Sequence, residues 1–276
     1  MKGLTIKSYA KFNPFLSVGN IRPDGYHEVR IILSLLELHD VIKITLAEKT
    51  EIICDIPGLN ISDNLIHKSL MFLEEYIHVP PLKIEIQKNI PVQAGLGGGS
   101  SNAGAFLYAI NTLLNFPLDV KDLLNIGSSI GADVPFFVLR VPTAKAECIG
   151  EKVHPIEKLK TTNVVVAKPE IGVETKNAYH SIDKLDKLRL KEFPDDLSVW
   201  QNDFDMIAPD DSKRIMENMK ELGSKNVVLC GSGSAVIAEF NSDADSKEAY
   251  KKLASEVSFC WVGKTINSVE EIQWIV

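Results

Sequence analysis

The 276 residues read as an α+β protein of two domains, on three observations. Strand-like and helical segments do not alternate regularly through the first half, which separates it from an α/β pattern. A run of glycines sits between an alternating segment and a helical one. From Glu157 to Thr162 the chain turns polar, then restarts with an apolar strand and a steadier strand–helix alternation. The break is placed near residue 158, giving domains 1–158 and 159–276. Each half is long enough to bury a core.

The elements follow in order. Leu4 to Val18 and Val29 to Leu38 are apolar and strand-like, and Asp24-Gly25 between them is a turn signal. Val41 to Leu46 alternates apolar and polar residues as a half-buried strand does. Asp63 to Tyr76 reads as a helix with Ser62 or Asp63 as its cap. Leu82 to Lys88 alternates again. After the glycine run, Phe106, Leu107, Ile110, Leu113 and Leu114 share one side of a helix. Asp119 opens another, with Leu123, Leu124, Gly127 and Ile130 on one side and Gly131 placed to stop it. Pro135 pushes Val134 toward an extended conformation. Beyond the break, Asn163 to Ala167 is a strand, and Lys184 to Asp196 is a solvated loop or a frayed helix. Asp210 to Leu222 is a helix. Val227 to Cys230 and Ala235 to Phe240 are strands, joined by the turn Gly231–Ser234. Asp245 to Val257 is a helix and Phe259 to Val262 a strand.

Bulk composition excludes several classes. Hydrophobic residues make up 45% and charged residues 24%, an ordinary globular mix. A net charge of -7 with no basic stripe argues against nucleic-acid binding. Phosphates of a ligand must then be held by local groups. Cys54, Cys148, Cys230 and Cys260 have neither metal nor redox spacing and read as reduced thiols packed in apolar strands. The N-terminal segment is broken by lysines and lacks an apolar signal core, and no apolar run reaches the ~18 residues of a membrane span. A cytoplasmic protein is expected.

Pro91 to Gly104 (PVQAGLGGGSSNAG) holds five glycines and two serines. A glycine-rich turn that opens a helix traps anions: the backbone approaches closely, and unpaired N–H groups point outward at the positive end of the helix dipole. Ser100 and Ser101 are placed to cap that helix or to donate to phosphate oxygens. The bland alternative is a flexible loop with a serine cap. The spacing is not a Walker loop, because no Gly-Lys-Ser/Thr follows, and it fails the dinucleotide fingerprint. Four more patterns stand out. Lys11 and Asn13 lie on one face of an early strand, where a surface lysine is the plain reading. Tyr26 and His27 follow a turn. Asp133 follows a helix end, where it would otherwise cap a turn. Gly231–Ser234 is either a hairpin turn or a second glycine edge on a cleft.

Together and in this order, these patterns resemble the GHMP kinase superfamily: the early lysine strand, GLGGGSS (Gly95 to Ser101) and the late GSGS (Gly231 to Ser234). Ala10–Asn13, Asp24–His27, Asp63–Leu65, Lys88–Pro91 and Gly131–Pro135 are similar to the branch that phosphorylates a cytidine diphosphate derivative of methylerythritol, in the non-mevalonate isoprenoid pathway. The resemblance implies an S5-like ATP-binding domain followed by a ferredoxin-like α/β plait, with the active site in the cleft between them. It implies ATP and Mg²⁺ as cofactors and a monomer or homodimer; no carboxylate of the chain is assigned as a direct metal ligand, since magnesium keeps waters and relies on substrate oxygens. Gly95, Leu96, Gly97, Gly98, Gly99, Ser100 and Ser101 would hold the triphosphate. Asn64, Leu65, Lys88 and Pro91 would lie by the adenine. Lys11 and Asp133 would be the catalytic pair, with Asp133 also touching the substrate. Asn13 would meet the methylerythritol end, and Gly231 and Ser232 would border the substrate. Tyr26 and Tyr179, the latter placed by register after Pro169, would sandwich the cytosine, and His27 would read its edge through side-chain or backbone groups.

The chemistry suits those roles. An alcohol is a poor nucleophile, and a carboxylate within hydrogen-bond reach takes its proton as attack proceeds. Phosphoryl transfer asks mostly for positioning and charge, which lysine and main-chain amides supply. Three positions depart from the branch: Tyr9 stands for a usual proline, Gln93-Ala94 precedes the loop where glycine or small residues are common, and Cys148 replaces a frequent glycine. Two competitors are a related kinase for mevalonate-type, homoserine or sugar substrates, and a catalytically silent nucleotide sensor. Asn13 with Asp24–His27 weighs against the first, and the presence of both Lys11 and Asp133 against the second.

Overall fold

A computed structural model describes residues 3–56, 64–157, 159–185 and 188–275. Along the chain, β1 (Gly3–Ile21) and β2 (His27–Leu46) form a long antiparallel pair. Then come β3 (Glu51–Cys54), α1 (Leu65–Glu74), β4 (Leu82–Gln87), α2 (Gly98–Leu113), α3 (Val120–Ile130) and α4 (Val134–Val138). The hairpin β5 (Thr143–Glu147) and β6 (Lys152–Pro155) ends the first half. The second half runs β7 (Asn163–Lys168), α5 (Thr175–Ile182), β8 (Gln201–Asn202) and a 3-10 turn at Asp203–Ile207. It continues with α6 (Asp210–Glu221), β9 (Asn226–Leu229), β10 (Val236–Phe240), α7 (Asp243–Leu253), β11 (Phe259–Lys264) and β12 (Gln273–Ile275).

Two sheets organise these elements. The first has the order β12-β1-β2-β4-β3, with β5 added to β2, β6 to β5 and β8 to β1. The second has the order β11-β7-β10-β9, antiparallel throughout. With α6 and α7 as its crossovers it is the βαββαβ plait expected of the second domain. Helices α1 to α4 cover the first sheet: Leu4, Ile42, Ile44 and Ile84 pack against Leu70, Phe106, Ile110 and Val138. Each such side chain contributes about 1.5–3 kcal/mol by leaving water. The two sheets share core as well, since Leu33 and Phe136 belong to one cluster with Val165, Met219 and Phe240. Among the described residues no helix is long and apolar enough to cross a membrane.

Several expectations are corrected. The two strands expected over residues 29–46 are one strand, because Asp40 lies inside it, fully buried and hydrogen-bonded. The N-cap of α1 is Asn64, whose Oδ1 accepts from the Ile66 N–H at 3.0 Å; Ser62, Asp63 and residue 158 lie outside the described residues. Neither serine caps α2. Gly97 in the left-handed region is its N-cap, the helix is already running at Ser100, and the Ser101 hydroxyl accepts from Ser8 at 2.8 Å. Val134 is helical, not extended: Pro135 falls in the first turn of α4, where a missing N–H costs nothing, and burial of Val134 and Phe136 holds the turn. The stretch from 188 to 196 is irregular but not merely solvated, since the Phe193 ring packs against Phe15 with centroids 6.0 Å apart. Cys148 is not in a strand; it occupies a turn at φ 62°.

Candidate active site

Three segments distant in sequence interlock at the cleft. The β1–β2 register shifts between Tyr9 and Lys11, where β2 carries two extra residues, and the Lys11 backbone N–H donates to Leu96 O at 2.9 Å. Gly95 has φ +74°, and a Cβ there would lie 1.7 Å from Cys230 O, so the two glycine loops touch backbone to backbone. Ala235 N–H donates to Ala94 O at 3.2 Å across the same seam. Gly97 lies under the Lys11 stem, and Gly231 faces the Lys11 ammonium. Only residues without side chains permit this approach.

At this junction Lys11 Nζ lies 3.4 Å from Asp133 Oδ2 and donates to Asn13 Oδ1 at 3.0 Å. Asp133 is the N-cap of α4 yet makes no side-chain cap bond, which leaves its carboxylate to face Lys11. The lysine side chain is 7% exposed and the aspartate 28%. A charged pair so placed is pre-oriented and still open to a ligand hydroxyl. Cys230 beside it is no competing nucleophile, since burial pushes its thiol up to about 12 despite the nearby Lys11 charge.

The N-terminus of α2 meets the same space. It carries no side-chain cap bond and no acidic residue in its first turn. Gly98, Gly99 and Ser100 line the cleft, so first-turn N–H groups are available to an anion. The cleft measures about 1080 Å³, at the upper end of the roughly 300–1,000 Å³ usual for ligand pockets. Among the described residues no three His, Cys, Asp or Glu side chains gather as a metal cage.

On one flank, Leu65, Lys88 and Pro91 line the cleft, whereas Asn64 does not. Lys88 Nζ is paired with the buried carboxylate of Asp40 and donates to Asn102 Oδ1 at 2.8 Å. Asp40 also accepts from the N–H groups of Asn89 and Ile90 at 2.7 and 2.8 Å. Asn102 in turn donates to Ser8 at 2.8 Å, which bonds Ser101. Ser101 therefore belongs to this buried network and does not line the cleft. Removing one partner of such a pair costs about 3–5 kcal/mol. Asp40, Asn102 and Ser8 escaped the sequence reading; the one signal was an aspartate inside an apolar strand, a place that residue avoids.

On the other flank, Tyr26 stands at the turn tip, 60% exposed. His27 is buried and stacks on Tyr179, with ring centroids 5.0 Å apart and 23° between planes. Its Nδ1 meets Gly19 O at 2.9 Å and its Nε2 meets Asp183 Oδ1 at 3.0 Å. With both ring nitrogens engaged, a base edge would be left to its backbone groups. The Tyr179 ring meets Phe204 edge-on at 5.0 Å, and burial, helped by Asp133, pushes its hydroxyl up. Gly231 and Ser232 line the cleft, and Ser232 Oγ donates to Thr175 Oγ1 at 3.2 Å. Asn13 reaches the cleft through Lys11 only. Phe204 and Asp183 were not foreseen.

Known proteins resemble this chain in sequence and in fold. Residues 64–140 match the family model for the GHMP kinases N terminal domain, and residues 182–258 that for GHMP kinases C terminal. A 4-diphosphocytidyl-2-C-methyl-D-erythritol kinase from Thermodesulfovibrio yellowstonii is 33% identical, over 95% of this chain and 98% of its own. One of the same description from Alkaliphilus oremlandii is 35% identical over 99% and 100%. A solved 4-(cytidine 5'-diphospho)-2C-methyl-D-erythritol kinase superimposes with a TM-score of 0.80 at 27% identity, over 95% and 98% of the two chains. Homoserine kinase from Cytophaga hutchinsonii, at TM-score 0.68 and 17% identity over 98% and 96%, shares the fold.

Proposed function

The chain belongs to the 4-diphosphocytidyl-2-C-methyl-D-erythritol kinases within the GHMP kinases, and on that premise we propose how its cleft works. It transfers the γ-phosphate of ATP to the 2-hydroxyl of 4-diphosphocytidyl-2-C-methyl-D-erythritol, a step of the non-mevalonate route to isoprenoid precursors. The observation that carries the residue roles is the Lys11–Asp133 pair, 3.4 Å apart beside the uncapped start of α2.

In this reading the N–H groups from Gly98 to Ser100 hold the triphosphate, and Leu65, Lys88 and Pro91 border the adenine. Lys88 is fixed by Asp40 and Asn102 before any ligand arrives, so its charge needs no reorganisation. Asp133 accepts the hydroxyl proton as attack proceeds, and Lys11 offsets charge on the transferred group. Asn13 holds Lys11 in line. Tyr26 and Tyr179 flank the cytosine, each stacked base gaining roughly 1–3 kcal/mol. Mg²⁺ would arrive on phosphate oxygens with its own waters and so ask little of the protein. One chain supplies every group named here, so a monomer suffices. The substrates are water-soluble, and we place the enzyme in the cytoplasm.

The test is ADP release with 4-diphosphocytidyl-methylerythritol, mevalonate and homoserine offered separately. Turnover with the cytidine substrate is expected to exceed the others by orders of magnitude. Equal or better turnover of mevalonate or homoserine would replace this reading with that of a related kinase.

A further inference from the structure

Residues 202 to 205 have no part in the chemistry described above, yet three of the four are buried between the two sheets. Asn202 is 3% exposed, and its side chain makes three bonds. Its Nδ2 donates to Leu229 O at 2.9 Å and to Gly231 O at 2.7 Å. Its Oδ1 accepts from Phe204 N–H at 3.0 Å. Asp203 accepts from Val18 N–H at 2.9 Å and from Ser17 Oγ at 3.0 Å, pinning the segment to β1. Asp205 accepts from Leu229 N–H at 2.8 Å. Asn202 itself pairs with Leu16 through β8.

One amide group therefore bridges both ends of the cleft. Its acceptor end holds Phe204, which lines the cleft and lies edge-on to Tyr179. Its donor end holds the carbonyl of Gly231, the residue facing the Lys11 ammonium. We propose that Asn202 is a positioning residue, which sets the Gly231 turn against Lys11 and ties that setting to the aromatic wall at Phe204 and Tyr179. It touches no substrate. Binding at the remote aromatic end is thereby relayed as alignment at the reacting end, which raises kcat and not affinity alone. This inference rests on the proposed kinase chemistry for its kinetic readout.

The test compares Asn202→Ala and Asn202→Asp with the parent, and with Met219→Ala, a core change beneath the second sheet. Asn202→Asp keeps the acceptor for Phe204 but turns a carboxylate oxygen on two carbonyls. Both Asn202 variants are expected to lose about 10²-fold in kcat, while KM for ATP stays within about threefold. Met219→Ala is expected to lower the melting temperature with kcat within about twofold at temperatures where it is folded. A crystal structure of Asn202→Ala should show Gly231 displaced from Lys11. The idea is overturned by kcat within about threefold of the parent in both variants, by a kcat loss matched in Met219→Ala, or by an unmoved Gly231. Absence of parental turnover with the cytidine substrate would overturn the proposed function instead, and the crystal structure would still decide the place of Asn202.

Discussion

Asp133 and Lys11 differ in what their loss should do. Asp133→Asn keeps the shape and removes the proposed proton acceptor, so turnover should fall by about 10²–10⁴, with calorimetric affinity for an ATP analogue unchanged. Lys11→Met keeps a stem to pack over Gly97 and removes the charge; Asp133, 28% exposed, retains water. Its rate should fall far more than its melting temperature, and unfolding with full activity in the surviving fraction would mark Lys11 as structural. Asp205 gives a pH signature. Burial, opposed by its Leu229 bond, pushes its carboxyl up to about 7, whereas unfolded aspartate titrates near ~3.9. The folded state thus holds the proton more tightly. The resulting stability is complete below pH ~4 and is lost as pH rises through about 7, by at most a few kcal/mol. Urea unfolding at pH 5 and pH 8 should show the parent weaker at pH 8, and Asp205→Asn should narrow that gap. The cleft-lining residues legible in sequence were those with a motif around them, such as Lys11, Tyr26 and Asp133. Asp40, Asn102 and Asn202 act through buried bonds to segments 50, 94 and 29 residues away, and no local period announces such partners.

Among elements, the glycine loop makes the sharpest prediction. Gly95→Ala combines φ +74° with a Cβ 1.7 Å from Cys230 O, so the two loops must part. Gly223→Ala combines φ +85° with open space and pays the backbone term alone, about 1–2 kcal/mol. Urea unfolding should find Gly95→Ala clearly the worse of the two, and ADP release should find it nearly inactive. Comparable stability with retained turnover would mean that the loops need not touch. Two of the departures noted in the sequence acquire a physical meaning here: Gln93 at φ 52° and Cys148 at φ 62° both occupy the left-handed region that glycine favours. Elements with a clear apolar pattern were legible, namely α3, α6, β4 and the pair β9 and β10. The short elements β3, α4, β8 and β12 were not. They announce no period of their own, and pairing with other strands decides the three that are strands.

At the scale of the molecule, the division near residue 158 is a proposal about folding units, and the packing argues that neither piece is self-sufficient. The edge of β1 is covered at Gly3–Thr5 by β12, from the far end of the chain. Its other end, at Phe15 and Leu16, is paired by β8. A bridge joins Leu36 to Thr265. Ala10, Phe12 and Leu36 share a core with Val164, Val166 and Ile237. Cutting at residue 158 would strip these partners at once, exposing an unpaired edge and a broad apolar face, the two features that drive aggregation. Full-length protein should therefore unfold in one thermal transition by circular dichroism. A fragment of residues 1–158 should be insoluble or bind a hydrophobic dye, and mixing it with 159–276 during refolding should recover ADP release. Two separate transitions, or a fragment that melts cooperatively on its own, would mean that the cleft joins two independent bodies and that its geometry is set by a hinge instead of a shared core.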